Sequence, residues 1–170
     1  AFELCELDAE AYAIGGLAVG ESKPEMLETV EWMDEFLPKE KPRYLMGVGT
    51  PADLVRNVVR GVDMFDCVMP TRNARNGQLF TFDGKVNIRN AKYKTDFSAI
   101  DDNGISPMSE KYTKAYLHHL FKTEEILGYR IATQHNLHFY IHLMKTMQDE
   151  IKAGNFKNWA KGFLERYEGE

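Results

Sequence analysis

Cysteine is scarce. Cys5 and Cys67 sit in separate segments of 170 residues, too few for the disulfide framework of a small secreted domain. No apolar run nears the roughly 18 residues that cross a bilayer, and the first residues lack the basic, apolar and small-residue order of a secretion signal. Repeats of solenoid period and low-complexity tracts are missing too. Positive charge is not in excess: the net charge of −5 argues weakly against a nucleic-acid partner. These absences predict a reduced, soluble, cytoplasmic protein with no membrane partner. What is present is apolar bulk, 44% of residues, enough to bury a core and to exclude disordered and collagen-like classes.

The global charge hides a local one. From Arg72 to Lys94, six basic residues (Arg72, Arg75, Lys85, Arg89, Lys92, Lys94) stand against Asp83 alone, a basic patch in an acidic chain.

Strand-like and helix-like segments alternate through the first two thirds, the grammar of βα units and a parallel sheet. Residues 11–19 (AYAIGGLAV) read as a strand whose paired glycines mark close backbone approach. A helix follows, with Ser22 as N-cap, Glu25 completing a capping box, Met26, Val30, Met33 and Leu37 at helical spacing, and Pro38 as stop. The second unit repeats this: residues 44–48 as strand, Thr50 as N-cap, Pro51 at the first helical position, Asp53 in the capping-box place, Leu54, Val55, Val58 and Val59 as apolar face, and Gly61 as terminator. Residues 64–68 (MFDCV) form a third strand, and the polar stretch 71–77 leads into a hairpin of residues 79–82 and 85–88 turning at Asp83-Gly84. Residues 94–110 carry turn formers and little periodicity. Beyond them the spacing predicts helices over 109–121, from about 133 onward, and over 156–167, and a fourth short strand at Ile131. This divides the chain into βα units and a hairpin (1–93), an irregular segment (94–110) and a helical part (111–170). Three or four βα units suit a small open sheet or half of a (β/α)8 barrel, since a full barrel needs roughly 250 residues.

Asp66 is the first candidate for chemistry: a carboxylate within an apolar strand, near the C-terminal end where parallel-sheet enzymes place reactive groups, on one face with Met64 and Val68. Burial there would demand either a use or a hydrogen-bond partner, and spacing leaves both open. The run Gly15 to Gly20 lacks the Lys-Ser/Thr of a P-loop and the G-x-G-x-x-G spacing; it is either a backbone edge for a planar ligand or a tight bend. Arg72, Asn73, Arg75 and Asn76 suit phosphates and base edges, or else a solvated loop. His135, His138 and His142 fall at helical spacing without the accompanying Cys or carboxylates of a metal site, and read as an ordinary partly exposed face. His118 and His119 point in different directions, and Trp32 and Trp159 read as packing residues.

Taken together, YAIGGLAVGE (12–21), RYLMGVG (43–49), DMFDCVMPTRNARNG (63–77), NAKYK (90–94) and AYLHHL (115–120) resemble bacterial-type tRNA-guanine transglycosylase in order and spacing along nearly the whole chain. The resemblance implies an α/β fold, a partial (β/α)8 barrel of roughly strands five to eight with an inserted β-hairpin and C-terminal helices. It implies exchange of guanine at the tRNA wobble position for a 7-deazaguanine precursor of queuosine. Asp66 would be the nucleophile, attacking the ribose C1′ to form a covalent intermediate. Gly16, Leu17 and Ala18 would recognise the base, Tyr44 and Met46 would line its pocket, and Arg72 and Arg75 would hold the anticodon loop.

The family binds structural zinc through C-x-C-x-x-C and a later His. The matching positions are Gly104, Ser106 and Ser109, with only His135 kept, so no zinc and no other cofactor is expected, and residues 96–110 should be loose or repacked. The barrel's first half, with a second catalytic aspartate, has no counterpart in this sequence. The chain alone is therefore expected to be weakly active or inactive, and to self-associate or pair with an N-terminal half-barrel that covers its open edges. The other reading is a non-catalytic half-barrel that binds RNA or assembles with itself.

Overall fold

Short strands joined by well-capped helices build the N-terminal part of the computed structural model, which describes residues 2–17, 19–101 and 104–169. Two compact units divide after Val68: one holds the chain up to Val68 with Phe156–Leu164, the other Met69–Asn155 with the chain from Glu165. The sequence grammar placed its first boundary at 93, because the hairpin continues the strand pattern past the point where packing changes.

In the first unit, α1 (Phe2–Cys5) precedes β1 (Tyr12–Ile14), α2 (Lys23–Phe36), β2 (Arg43–Leu45), α3 (Pro51–Val59) and β3 (Met64–Phe65). The strands are parallel in the order β1-β2-β3, with Ile14 opposite Leu45 and Leu45 opposite Phe65. All three are shorter than the sequence predicts; the apolar run of 11–19 breaks at Gly15, and Asp66 lies just past β3 instead of within it. Ser22 and Glu25 form the expected reciprocal capping box, and the Thr50 side chain accepts from the Asp53 N–H. Met26, Val30 and Leu37 pack with Tyr12, Ile14, Leu45, Val48 and Val62 into one core. Trp32 and Val59 stand exposed, contrary to their expected packing roles. Arg43 is buried and pairs with Asp34 while donating to the Leu37 carbonyl at 2.7 Å. Gly61 has φ +86°, and a Cβ there would lie 2.5 Å from the Arg43 guanidinium, so this helix end needs glycine on two counts.

The second unit begins with α4 (Met69–Arg75), a helix where a polar loop was expected. Pro70 sits in its first turn, where a missing N–H costs nothing. The hairpin β4 (Gln78–Thr81) and β5 (Gly84–Asn87) pairs Thr81 with Gly84, so the turn is Phe82-Asp83 where Asp83-Gly84 was expected, and Gly84 follows it at φ +112°. A 3-10 turn (Ala91–Thr95) follows. The single helix expected over 109–121 is two, α5 (Pro107–Lys111) and α6 (Lys114–Lys122), separated at Thr113, which caps the second. Then α7 (Ile126–Lys152) starts earlier than its apolar spacing suggests and absorbs Ile131, which belongs to no strand. Gly128 hides that start, yet a Cβ there would come within 3.0 Å of Leu120 Cβ, so the glycine permits α6 and α7 to touch. The last helix, α8 (Phe156–Glu168), falls where expected; its residues up to Leu164 belong to the first unit, where Trp159 stacks between Phe156 and Phe163. Leu79, Ile88, Ile100, Leu117, Phe121 and Ile131 form the core of this unit.

Asn136, fully buried on α7, holds the second unit together. Its amide donates to the carbonyls of Pro70 at 2.9 Å and Gln78 at 3.0 Å, and its oxygen accepts from the Phe80 N–H at 3.1 Å. The described residues close no barrel, and no described helix is long and apolar enough to cross a membrane.

Candidate active site

The register of the first unit aligns the residues just beyond the three strands, so that Gly15, Met46 and Asp66 follow paired positions at the C-terminal edge of the sheet. This is the edge where parallel sheets carry reactive groups. Asp66 is exposed there, not buried as its apolar neighbours suggested. Its Oδ1 accepts two hydrogen bonds, from the Tyr44 hydroxyl at 2.6 Å and from the Gly47 N–H at 3.0 Å. Both favour the ionised carboxylate, and the Tyr44 hydroxyl, ahead of the Gly47 amide, holds the Asp66 carboxyl below its usual range. The same bond raises the Tyr44 phenol. With both donors on Oδ1, Oδ2 has no hydrogen bond from another of the described residues.

The Tyr44–Asp66 contact has a simple origin. Tyr44 lies opposite Met64 in the β2–β3 pair, and alternation puts Met64 and Asp66 on one face, so the phenol stands on the face to which Asp66 turns. Spacing within either strand alone cannot reveal this; the pairing register can. Gly47 reaches the carboxylate with φ +74°, a conformation that aims its N–H at Oδ1.

Met46 is half exposed, and its Sδ lies 3.3 Å from where a Cβ on Gly15 would stand. Gly15, one of the paired glycines expected to mark close backbone approach, is therefore the surface on which the thioether rests. Gly16, exposed and with φ +77°, follows it, and Leu17 turns its partly buried side chain toward the core, leaving its backbone on the edge. Ala18 lies outside the described residues. The strand ends thus gather an ionised carboxylate, its positioning phenol, a soft flat thioether and bare glycine backbone, which suits an electrophilic carbon attached to a planar ring.

Arg72 and Arg75 lie on α4 in the second unit, both exposed and neither ion-paired nor hydrogen-bonded among the described residues. The other arginine of the basic patch is not free: Arg89 donates to the carbonyls of Asn76 and Phe121 and lies 5.1 Å over the Phe121 ring.

A family model described as queuine tRNA-ribosyltransferase matches residues 1–169. The chain belongs to this family. Queuine tRNA-ribosyltransferases of Francisella tularensis subsp. novicida (strain U112), subsp. holarctica (strain LVS) and subsp. tularensis (strain SCHU S4 / Schu 4) are each 53% identical to it over 165 residues, 97% of this chain. That stretch is 45% of each relative, so the chain spans less than half the length of these queuine tRNA-ribosyltransferases.

The residues at the family's zinc positions do not fit a metal. Gly104 has no ligating side chain, and the Ser106 hydroxyl accepts from the Met108 N–H at 3.2 Å. Ser109 and His135, both fully buried, bond to each other at 2.9 Å through Ser109 Oγ and His135 Nδ1. His135 Nε2 lies 2.9 Å from the Phe80 carbonyl, which can only accept. Nε2 therefore carries the proton, and the lone pair on Nδ1 is taken by the serine hydroxyl. Burial pushes His135 below its usual value and keeps it neutral. His135 is thus a core hydrogen-bonding residue, not part of a partly exposed stripe, while His138 is half-buried and His142 exposed. Of the two states expected for residues 96–110, loose or repacked, the described residues show the second, with Ile100, Ile105, Ser106 and Ser109 buried. His118, buried, and His119, exposed, point in opposite directions as expected.

Proposed function

We propose that the chain is the nucleophile-bearing half of a tRNA-guanine transglycosylase, built as a partial (β/α)8 barrel. The observation that carries this reading is the Asp66 carboxylate at the strand ends, ionised by two donors on Oδ1 with Oδ2 left to react. Oδ2 attacks C1′ of the wobble guanosine, the C1′–N9 bond breaks with its electron pair leaving on guanine, and solvent protonates the departing base. An incoming 7-deazaguanine then attacks C1′ through N9, loses that proton, and returns Asp66 as free carboxylate. Each displacement passes through an oxocarbenium-like state that a neighbouring carboxylate stabilises. Tyr44 acts as a positioning residue for Asp66, a role added to the base-lining one expected for it. Met46 covers the flat face of the base, and the backbone of Gly16, Leu17 and Ala18 reads its edge.

Arg72 and Arg75 supply unpaired guanidiniums for the anticodon-loop phosphates. The chain carries no structural zinc, because the Ser109–His135 clasp occupies the donors. β1 and β3 are the edges of the sheet and need a covering strand, from a complementing N-terminal half or a second copy, in the cytoplasm where tRNA is found.

The test is covalent trapping. A tRNA anticodon stem-loop with guanosine at the wobble position is incubated with the chain and the competing base, and the mixture is run under denaturing conditions. The expected result is a protein–RNA adduct that forms with the chain and vanishes in Asp66→Asn. A folded chain that binds the stem-loop and forms no adduct, alone or with its complementing half, would leave only the non-catalytic RNA-binding module.

A further inference from the structure

The second unit holds a cleft of about 400 Å3 that the proposed reaction does not use. It runs along the N-terminal turns of α7 beside the end of α4, and its walls include Arg75, Arg130, Ile126, Tyr129, Gln134 and Leu137, with no carboxylate among its lining residues. Arg75 and Arg130 have no ion pair or hydrogen bond among the described residues. Arg72, on the same helix as Arg75, is likewise unpaired among the described residues. Acidic residues outnumber basic ones, and Arg43, Arg56, Arg60 and Arg166 all have carboxylate partners.

The rest of the cleft is apolar and firm. Ile126 is 74% and Leu137 42% exposed. The Tyr129 ring is pinned edge-on against Phe121 at 5.2 Å, so it forms a fixed wall. Two forked cations beside a fixed aromatic ring, two bare aliphatic side chains and one amide match a phosphate joined to a planar polar ring. The volume is in the range of small-molecule sites.

We infer that this cleft seats one unpaired nucleotide of the RNA, its phosphate on Arg75 and Arg130 and its base against Tyr129, Ile126 and Leu137, with Gln134 placed for the base edge. The choice of RNA rests on the transglycosylase reading; the choice of an unpaired nucleotide rests on the apolar wall, which a base stacked in a duplex cannot reach. The new assignments are Ile126, Tyr129, Arg130, Gln134 and Leu137 as RNA-binding residues.

The experiment is anisotropy of a labelled anticodon stem-loop against salt, with a blunt RNA duplex as control, for the unaltered chain, Arg130→Ala, Leu137→Ser and Asp66→Asn. Arg130 and Leu137 are exposed, so neither change should disturb folding. Arg130→Ala should raise Kd for the stem-loop by about three- to tenfold at about 50 mM salt and flatten the log–log salt slope by about 0.7, one single-strand phosphate contact. Leu137→Ser should raise Kd about threefold with the slope unchanged. The duplex should respond to neither, and Asp66→Asn, which cannot form the adduct, gives the noncovalent reference for the stem-loop. An unchanged Kd and slope in Arg130→Ala overturns the cleft assignment, as do equal losses on stem-loop and duplex. Arg130-dependent binding without a covalent adduct would remove the reaction and keep the cleft; an adduct with no Arg130 dependence would remove only the cleft.

Discussion

Asp66 in the first unit and His135 in the second are both held below their ordinary pKa values, yet for opposite reasons and with opposite results. Asp66 is exposed, and the donors on its Oδ1, the Tyr44 hydroxyl first, stabilise its charged form. His135 is buried, and desolvation, the leading cause, removes its charge. A carboxylate that keeps its charge in solvent is available to an electrophile; an imidazole that loses its charge in a core serves as a bridge between elements. One direction of shift thus marks reactivity in one unit and architecture in the other, and only the physical cause tells them apart.

The largest effect should come from breaking the architecture at Asn136. Asn136→Ala removes two buried hydrogen bonds and one part-buried one, taking its partner from the Phe80 N–H and from the carbonyls of Pro70 and Gln78. Unsatisfied buried groups and the space left behind should cost about 3 kcal/mol, read as a lower urea midpoint by circular dichroism. A cost below about 1 kcal/mol would mean that water replaces the amide and that the second unit does not depend on it.

Ser109→Ala should cost less, about 1–2 kcal/mol, since it leaves only His135 Nδ1 without its donor. The same clasp predicts that a strong chelator leaves the melting temperature unchanged and that the purified chain carries no stoichiometric zinc. Stoichiometric zinc, or a melting temperature that falls with chelation, would refute the metal-free clasp. The clasp also sets a pH dependence. His135 is depressed when folded, so the unfolded chain binds more protons below its ordinary pKa of about 6.5. The contribution of the neutral ring is complete above that pH and is lost as pH falls through the folded value. His135→Asn should flatten this acid slope.

Much of this frame is legible in the sequence where the signal is local. Ser22, Glu25, Thr50 and Gly61 mark helix ends because capping is a matter of a few neighbouring residues. The signal fails where packing decides. The polar run after Met69 becomes a helix once Asn136, some 66 residues away, accepts the burden of tying Pro70 down. Gly128 weakens the apparent start of α7 while making its contact with Leu120 possible. At the site, the motifs locate Asp66, Tyr44 and Met46 in the chain, but the bond between the first two depends on a register between strands that no single segment encodes.

The smallest effect tests that bond. Tyr44→Phe keeps the ring and deletes the hydroxyl, the main cause of the lowered Asp66 carboxyl, while the Gly47 N–H remains. Loss of a donor to the ionised form raises a pKa, so the Asp66 carboxyl should titrate at higher pH in Tyr44→Phe, followed by carbon-detected NMR of the side chain. The acid limb of adduct formation should move upward with it, while affinity for the stem-loop stays the same. Because Asp66 is exposed, stability should hardly change. A phenol that merely lined the base pocket would alter binding of the incoming base and leave the carboxyl titration in place. A titration shift with unchanged RNA affinity therefore assigns Tyr44 to the nucleophile, and the reverse pattern returns it to the pocket wall.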